Sequence, residues 1–432
     1  MINRRLLGTA AVTLVTAVAV AGCAASPAPT ESASGEGTLT VVSIPNYEAS
    51  LTALIEEFEA ANPDISVDAQ FIDVASFHTT LRTQLTAGTA PDVFSVFPGN
   101  GTPTALEVLA PGGFLADLSD YEFNENVPEG LDSTTEVDGK RMILPYALGA
   151  IGAIYNEQAV ADAGATVPTT WDELLEYCDT ARDAGKVAFA FGAQTGWVNQ
   201  LLNYALTATL VYGANPTFDA DQAAGDATFA DSDWKEAVEK VVEMSDRGCF
   251  QEAPLGTAYE GAVDLVAKGE ALSMVSVVST FGALRAVAPE GTTFNQFAVP
   301  ATDDPSDTWM PAGAGGAYGV NAKAKNPVAA QMFIEFLGSA TSQATMAELQ
   351  GSPPVNMSGW EAPAELETLI GHVDDSTVHP YADQLWPNPK VAEAHIAGMQ
   401  QVLGGQTSVE DMLKAMDAAY SHSVWLLDSC SW

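Results

Sequence analysis

The sequence has few basic residues, few histidines and few cysteines. It contains 16 Lys and Arg against 56 Asp and Glu, which gives a formal net charge of −40. Nucleic acids and anionic membrane surfaces are bound through basic patches, so this balance argues against both as partners. The 5 histidines are scattered, and no two of the 4 cysteines stand at CxxC spacing, which disfavours a zinc site. We therefore expect neither a metal nor a cofactor.

Signatures of catalysis are absent as well. The sequence has no GxSxG nucleophile elbow, no HExxH zinc motif and no phosphate-binding loop. A glycoside hydrolase needs two carboxylates at a set separation, but with 56 acidic residues such pairs are easily found and decide nothing. We predict no catalytic residues and expect a protein that is not an enzyme, with a surface glycoside hydrolase as an open alternative.

The N-terminal segment predicts export. Two arginines precede an apolar run over residues 6–21, which is typical of a signal peptide. The run leads into the motif VAGC, which looks like a bacterial lipobox whose Cys23 is lipidated after cleavage. Residues 23–37 are small, polar and rich in Pro, Gly and Ser, so they should form a flexible tether. We expect a signal peptide at residues 1–22 and a lipid anchor on the extracytoplasmic face of a bacterial cell membrane. A plain cleavable signal and either Sec or twin-arginine export remain open.

Besides Cys23 the chain has Cys178, Cys249 and Cys430. An oxidising compartment permits disulfides, and three thiols form one bridge at most. The first two flank predicted structured elements in the part of the chain that follows residues 144–158. We predict a bridge between Cys178 and Cys249, with Cys430 free in the C-terminal tail, while three reduced and buried thiols remain the alternative.

The length of 432 residues predicts two compact units. Alternating strand and helix patterns over residues 39–97 predict an α/β unit with a mainly parallel sheet. In such sheets ligands bind beyond the carboxyl ends of strands, so the loops at 45–48 and 98–103 are candidate site loops. Residues 144–158, LPYALGAIGAIYNEQ, form an apolar run interrupted by Pro145 and by glycines. Such a run predicts a bend, a crossing or a close backbone approach, and a second α/β unit follows it.

Seven stretches of the sequence match the local patterns of one protein family, in the same order as in that family. They are LTALIEEFEAANPDISV, TQLTAGTAPDVFSV, LPYALGAIGAIYNEQ, PTTWDELLEYC, GEALSMVSVVSTFGAL, GAGGAYGVNAKAKNPVAAQMFIEFL and GGQTSVEDMLKAMD. Together they resemble the extracellular solute-binding proteins of ABC transporters, in the sugar-binding group that includes maltose-binding protein. The resemblance implies an α/β, two-lobe periplasmic-binding-protein fold with three interlobe crossings and a ligand cleft. Lobe 1 would comprise residues 38–146 and 301–351, and lobe 2 residues 147–300 and 352–432.

The resemblance also implies a function. The protein would be the membrane-anchored substrate-binding component of an ABC importer, monomeric, which binds a mono- or oligosaccharide and closes over it by a hinge. Its partners would be the carbohydrate ligand and the membrane permease subunits, with the ATPase on a separate chain. A non-sugar nutrient, such as a peptide or a polyamine, is the alternative ligand. A polyamine should leave carboxylates in the cleft loops, where Glu48 is the obvious one.

A sugar site needs aromatic rings for its apolar faces and planar polar groups for its hydroxyls. The loops that should face the cleft supply candidates of both kinds: Asn46, Tyr47, Glu48, Asn100, Gln194, Trp197, Ser279, Thr280, Phe281, Gly315, Gly316, Tyr381 and Trp386. Each aromatic among them could instead pack in the core or lie on the surface. His78 is interpreted as a surface or cap residue. The resemblance places an acidic ligand residue where this chain has Gly149, so the sugar specificity of the family member cannot be carried over to this chain. The small number of charged groups in these loops favours a neutral sugar.

Overall fold

The computed structural model describes residues 35–421. The predicted signal peptide, the predicted lipidation site Cys23, most of the predicted tether and Cys430, which was predicted to be free, lie outside these residues. Within them, no helix is long and apolar enough to cross a membrane.

Strands and helices alternate along the chain, as the sequence patterns predict. The strands are β1 (Gly37–Ser43), β2 (Ile65–Phe71), β3 (Val93–Val96), β4 (Glu136–Val137), β5 (Lys140–Arg141), β6 (Leu144–Asn156), β7 (Val187–Phe189), β8 (Ala271–Val277), β9 (Phe294–Phe297), β10 (Met310–Val320) and β11 (Val378–His379). The helices are α1 (Glu48–Ala61), α2 (Val74–Ala87), α3 (Leu106–Leu109), α4 (Asp132–Thr135), α5 (Glu157–Ala163), α6 (Trp171–Asp183), α7 (Val198–Thr207), α8 (Phe218–Ala224), α9 (Trp234–Arg247), α10 (Tyr259–Ala267), α11 (Thr280–Val287), α12 (Pro327–Gly338), α13 (Ala340–Gln350), α14 (Glu367–Asp374), α15 (Pro389–Leu403) and α16 (Val409–Ser421). A π-helical segment, Ala208–Gly213, extends α7.

Helix ends follow local chemistry. At the start of α6 the Thr170 hydroxyl accepts a hydrogen bond from the Glu173 amide at 3.2 Å, which is half of a capping box. The Glu173 carboxylate accepts from the amide of Thr169 at 2.8 Å, one residue before the helix cap. Helix α9 ends at Gly248, which adopts a left-handed conformation that costs glycine little.

One sheet runs through the molecule in the order β2-β1-β3-β10-β6-β8-β7, with β9 paired to β6 and β11 paired to β10. The outer pairs are parallel and the central pairs are antiparallel. Strand β6 pairs with β10 along its first half and with β8 and β9 along its second half. Two strands, β6 and β10, therefore cross between a first lobe built on β1–β3 and a second lobe built on β7–β9.

Each lobe has its own hydrophobic core. Two clusters of buried residues cover the faces of β1 and β3 in the first lobe, with Phe58 and Phe333 in one and Phe77 and Phe94 in the other. Two further clusters form the second lobe. The disulfide between Cys178 and Cys249 is present and buried in that lobe, as predicted.

The backbones of the crossing strands approach closely at Gly149 and Gly315. A Cβ added at Gly149 would lie 2.6 Å from the Gly315 Cα, and one added at Gly315 would lie 2.5 Å from the Gly149 Cα. The register of β10 also shifts between Ala314 and Gly316. The apolar run is thus one continuous strand whose glycines permit a close approach, and the proline does not break it. A third passage lies alongside, where the Leu148 amide donates to the Pro353 carbonyl at 2.8 Å.

Candidate ligand-binding site

A cavity of about 400 Å³ lies in the cleft over the crossing strands. Its wall is formed by the loops that follow β1 and β3, by α2, by the starts of α7 and α11, and by the segment from β11 into α15. Apolar side chains make up much of this wall, including Ile44, Phe97, Val277, Leu201 and Ile396. A cavity of this size with an apolar wall and a few polar groups is typical of a small-molecule site.

Many of the predicted site residues lie in the cavity wall. They are Asn46, Tyr47, Trp197, Ser279, Gly315, Gly316 and Tyr381. The wall thus brings together residues from widely separated parts of the sequence, as the interpretation of the cleft loops requires.

Other predicted residues lie outside the wall. Glu48 begins α1 and is exposed, and Gln194 is exposed on the loop before α7. Asn100 forms a backbone hydrogen bond near the cavity, in which its amide donates to the Gln384 carbonyl at 3.0 Å. That bond joins the loop after β3 to the segment that follows β11.

Thr280, Phe281 and Trp386 were expected at the ligand but lie inside the second lobe. Helix α11 begins at Thr280, so the residues read as an open loop turn inward: Phe281 is fully buried. The Tyr259 hydroxyl donates to the Thr280 hydroxyl oxygen at 3.0 Å. Trp386 is 1% exposed and packs against Trp234, with ring centroids 5.9 Å apart. The aromatic residues Phe281 and Trp386 thus belong to the core of the second lobe and not to the cavity wall.

Trp197 supplies a large aromatic surface to the cavity. It caps the N-terminus of α7 and packs against Tyr259, with ring centroids 5.0 Å apart and an interplanar angle of 50°. This contact fixes the indole without burying it completely, so a ring in the cavity can still reach it. An indole held in this way suits the apolar face of a sugar.

A group of tyrosines forms the floor around the crossing strands. Tyr146 stacks on Tyr318 at 5.0 Å, and Tyr47 meets Tyr146 edge-on at 5.4 Å. Burial raises the pKa of Tyr47 and of Tyr381 above the ordinary tyrosine value, so both hydroxyls stay protonated. The Tyr381 hydroxyl lies 2.5 Å from where a Cβ of residue 149 would be. Gly149 therefore leaves space that Tyr381 fills, and an acidic side chain has no room at this position.

His78 lines the cavity, contrary to its interpretation as a surface or cap residue. Its Nδ1 lies 2.9 Å from the Thr104 hydroxyl oxygen, and burial lowers its pKa to about 4. The imidazole is therefore uncharged at neutral pH. The signal in the sequence was its four-residue spacing from Val74, which places both on one face of α2 and next to the loop after β3.

Asp383 is not among the predicted site residues, although it lies between two of them, Tyr381 and Trp386. It lines the cavity on the segment that follows β11. Burial raises the pKa of its carboxyl to about 6, and the nearby amides of Asp383 and Gln384 offset part of this effect. The sequence offers no signal that would single out Asp383, because acidic residues are common along the whole chain.

Glutamines support the wall. The Gln384 Nε2 donates to the Ala314 carbonyl at 3.0 Å, and the Gln350 Nε2 donates to the Ser50 hydroxyl at 2.6 Å. Gln200 donates to the Tyr204 hydroxyl. All three glutamines line the cavity. Across residues 35–421, no three His, Cys, Asp or Glu side chains are grouped so that they could hold a metal ion.

A family model described as bacterial extracellular solute-binding protein matches residues 43–344, which is more than half of the chain. The chain belongs to this family. Among curated proteins it is similar to the multiple sugar-binding protein of Streptococcus mutans, with 24% identity over 355 residues that cover 80% of this chain and 81% of that protein.

Solved structures show that the fold is shared. The solute-binding protein RafE in complex with raffinose has a TM-score of 0.75 and 20% identity, over 90% of this chain and 99% of that one. A chitin oligosaccharide binding protein has a TM-score of 0.76 and 21% identity, over 90% and 99%. The protein thus has the two-lobe α/β fold of the extracellular solute-binding proteins, with a ligand cleft between the lobes.

Proposed function

We propose that the protein is the substrate-binding component of an ABC importer and binds a mono- or oligosaccharide in the cleft. The observation that carries this proposal is the cavity of about 400 Å³, whose wall combines Trp197 and tyrosine rings with uncharged polar groups. Sugars present apolar ring faces and rows of hydroxyls, and this wall matches both. The names of the similar proteins, which refer to multiple sugars, raffinose and chitin oligosaccharide, support the same class of ligand.

Binding would act through the hinge. A ligand that contacts both lobes stabilises the closed form by its differential affinity for that form. The close approach of Gly149 and Gly315 makes the crossing point of β6 and β10 the natural pivot. The closed protein is then delivered to the membrane permease subunits, and the ATPase is a separate chain. The protein would act as a monomer.

The lobes and the anchor belong to the same proposal. We place lobe 1 at residues 38–146 and 301–351, and lobe 2 at residues 147–300 and 352–432. Cys23 would carry the lipid and hold the protein at the extracytoplasmic face of the cell membrane. Labelled palmitate in the expressing bacterium should enter the wild type and not Cys23→Ser, and equal labelling of the two proteins contradicts the anchor.

A thermal-shift screen tests the sugar assignment. Mono- and oligosaccharides, raffinose and chitin oligosaccharides among them, are each added to the purified protein lacking its signal peptide. A ligand at 100 times its Kd stabilises the folded protein by about 2.7 kcal/mol, which gives a readable shift in Tm. We expect a shift with at least one sugar. No shift with any sugar, together with a shift for a peptide or a polyamine, contradicts the assignment.

Hydrolysis is the alternative that needs its own measurement. A carboxyl with a raised pKa in a sugar cavity is also a feature of glycoside hydrolases, and Glu393 at the cavity wall supplies a second carboxylate. Incubating the protein with the sugar identified in the screen and analysing the products by chromatography separates the two functions. We expect the sugar to be recovered intact.

A further inference from the structure

Asp383 is an isolated carboxylate in the cavity wall. No side chain within residues 35–421 forms an ion pair or a hydrogen bond with it; its nearest polar partners are two backbone amides, its own and that of Gln384. Its Oδ2 packs onto Gly101, 2.3 Å from where a Cβ of that residue would lie. Its charge also contributes to the raised pKa of Tyr204 and Tyr381, so it lies close to both phenols. Burying a carboxylate without a nearby cation costs the folded protein free energy, unless a bound ligand supplies the positive charge.

The cavity supplies no such cation. None of the described residues that line it is Lys or Arg. His78 is uncharged at neutral pH because burial lowers its pKa to about 4. The other acidic residue of the wall, Glu393, is exposed. An anion in this cavity would face two carboxylates and no counter-charge.

We propose that Asp383 ranks the ligands of this site by charge: sugars with a protonated amino group bind best, neutral sugars follow, and uronic acids or sugar phosphates are rejected. This inference rests on the proposed sugar-binding function and adds the chemistry of the accepted class. An ammonium group pairs with Asp383 and supplies the missing cation. A neutral sugar donates hydroxyl hydrogens to the carboxylate but leaves its charge uncompensated. A carboxylate or phosphate has no donor to offer and is repelled.

Matched sugars test the ranking. Glucose, glucosamine, glucuronate and glucose 6-phosphate share one ring and differ in charge, and galactose with galactosamine and galacturonate forms a second series. Each competes with the sugar that gives the largest shift in the screen, and Kd is measured by isothermal titration calorimetry at pH 7.5. In the wild type we expect the amino sugar to bind at least about tenfold more tightly than the uronic acid, the range of a charge-assisted hydrogen bond.

Two variants assign the effect to this residue. Asp383→Asn keeps the size of the side chain and removes its charge, so the amino sugar should lose about tenfold in affinity and the difference between it and the uronic acid should shrink to within threefold. Glu57→Gln removes an exposed acid of α1 and should change none of the values. Circular dichroism verifies that both variants are folded.

The outcomes are distinct. An uronic acid or a sugar phosphate that binds the wild type as tightly as the neutral sugar overturns the ranking and leaves sugar binding in place. A charge order that persists in Asp383→Asn, or that changes equally in Glu57→Gln, overturns the role of Asp383. Spermidine binding without any sugar ligand in the screen removes the proposed function and this inference together.

Discussion

Replacing Asp383 by Asn should make the ligand-free protein more stable. The carboxyl of Asp383 has a pKa of about 6 in the folded protein against an ordinary value of 3.8, because burial disfavours its charged form. Charging the group at neutral pH therefore costs the folded state free energy that the unfolded state does not lose. Asparagine is nearly isosteric and carries no charge, and its side-chain oxygen can still accept from the two backbone amides that the carboxylate contacts.

The pKa difference sets the size of the effect. About 2 pH units at about 1.4 kcal/mol each correspond to an upper limit of about 3 kcal/mol. Asp383 is half-buried at the wall of the cavity, so solvent should screen part of the charge, and we expect about 1–2 kcal/mol. Between pH 4 and 6 Asp383 binds more protons in the folded protein than in the unfolded chain, so its contribution to the free energy of unfolding falls as pH rises. The advantage of the variant should be absent near pH 4 and complete above about pH 7.

Urea denaturation of wild type and Asp383→Asn at pH 4, 5, 6 and 7.5, without ligand, measures this curve. Glu57→Gln is the matched control, because it removes an acidic side chain that is exposed on α1. If Asp383→Asn is less stable than the wild type at pH 7.5, or if its advantage is the same at every pH, the reasoning fails. The first result would mean that the carboxylate has a stabilising partner in the folded protein, and the second would mean that the gain does not arise from its charge.

Three further changes test the site and the frame that holds it. Trp197→Ala removes the indole of the cavity wall and should weaken sugar binding by about 10- to 100-fold in calorimetry, and unchanged affinity would remove Trp197 from the site. Gly315→Ala places a Cβ 2.5 Å from the Gly149 backbone and should lower the free energy of unfolding by about 1–3 kcal/mol, whereas Gly371→Ala, in a helix with no atom within 4 Å of the added Cβ, should be neutral or slightly stabilising in the same urea experiment. Replacing both disulfide cysteines by serine opens a link with a sequence separation of 71 residues and should cost about 2–4 kcal/mol in urea under oxidising conditions, with no loss expected under reducing conditions.

The fold could be predicted from the sequence because its signals are local. The spacing of Leu51, Leu54 and Phe58 is typical of a helix, and all three lie in α1, which spans Glu48–Ala61. Period and turn chemistry suffice for such elements. The run around Gly149 was predicted to bend, cross or approach another backbone, and a crossing with close approach is what β6 and β10 form.

The candidate site was less predictable because a side chain's direction depends on where an element begins. Phe281 was placed in an open loop after β8, but α11 starts one residue earlier and turns the ring into the core. Asp383 shows the converse. No periodicity distinguishes it from the other acids of an acidic chain, and its importance arises from packing against Gly101, far away in the sequence.

Gly149 and Asp383 together change what the cleft can be expected to bind. The resemblance to sugar-binding relatives places an acid at position 149, and its absence favoured a cavity with little charge. In the structure the Tyr381 hydroxyl occupies the space next to Gly149, and Asp383, two residues after Tyr381, is one of the two acids that line the cavity. A carboxylate therefore lines the cavity, but it comes from the segment after β11 and not from the crossing strand β6. A specificity inferred from residues 144–158 alone would leave out the charge of Asp383. Binding measurements with matched sugars of different charge are therefore more informative for this protein than a comparison of sequence motifs.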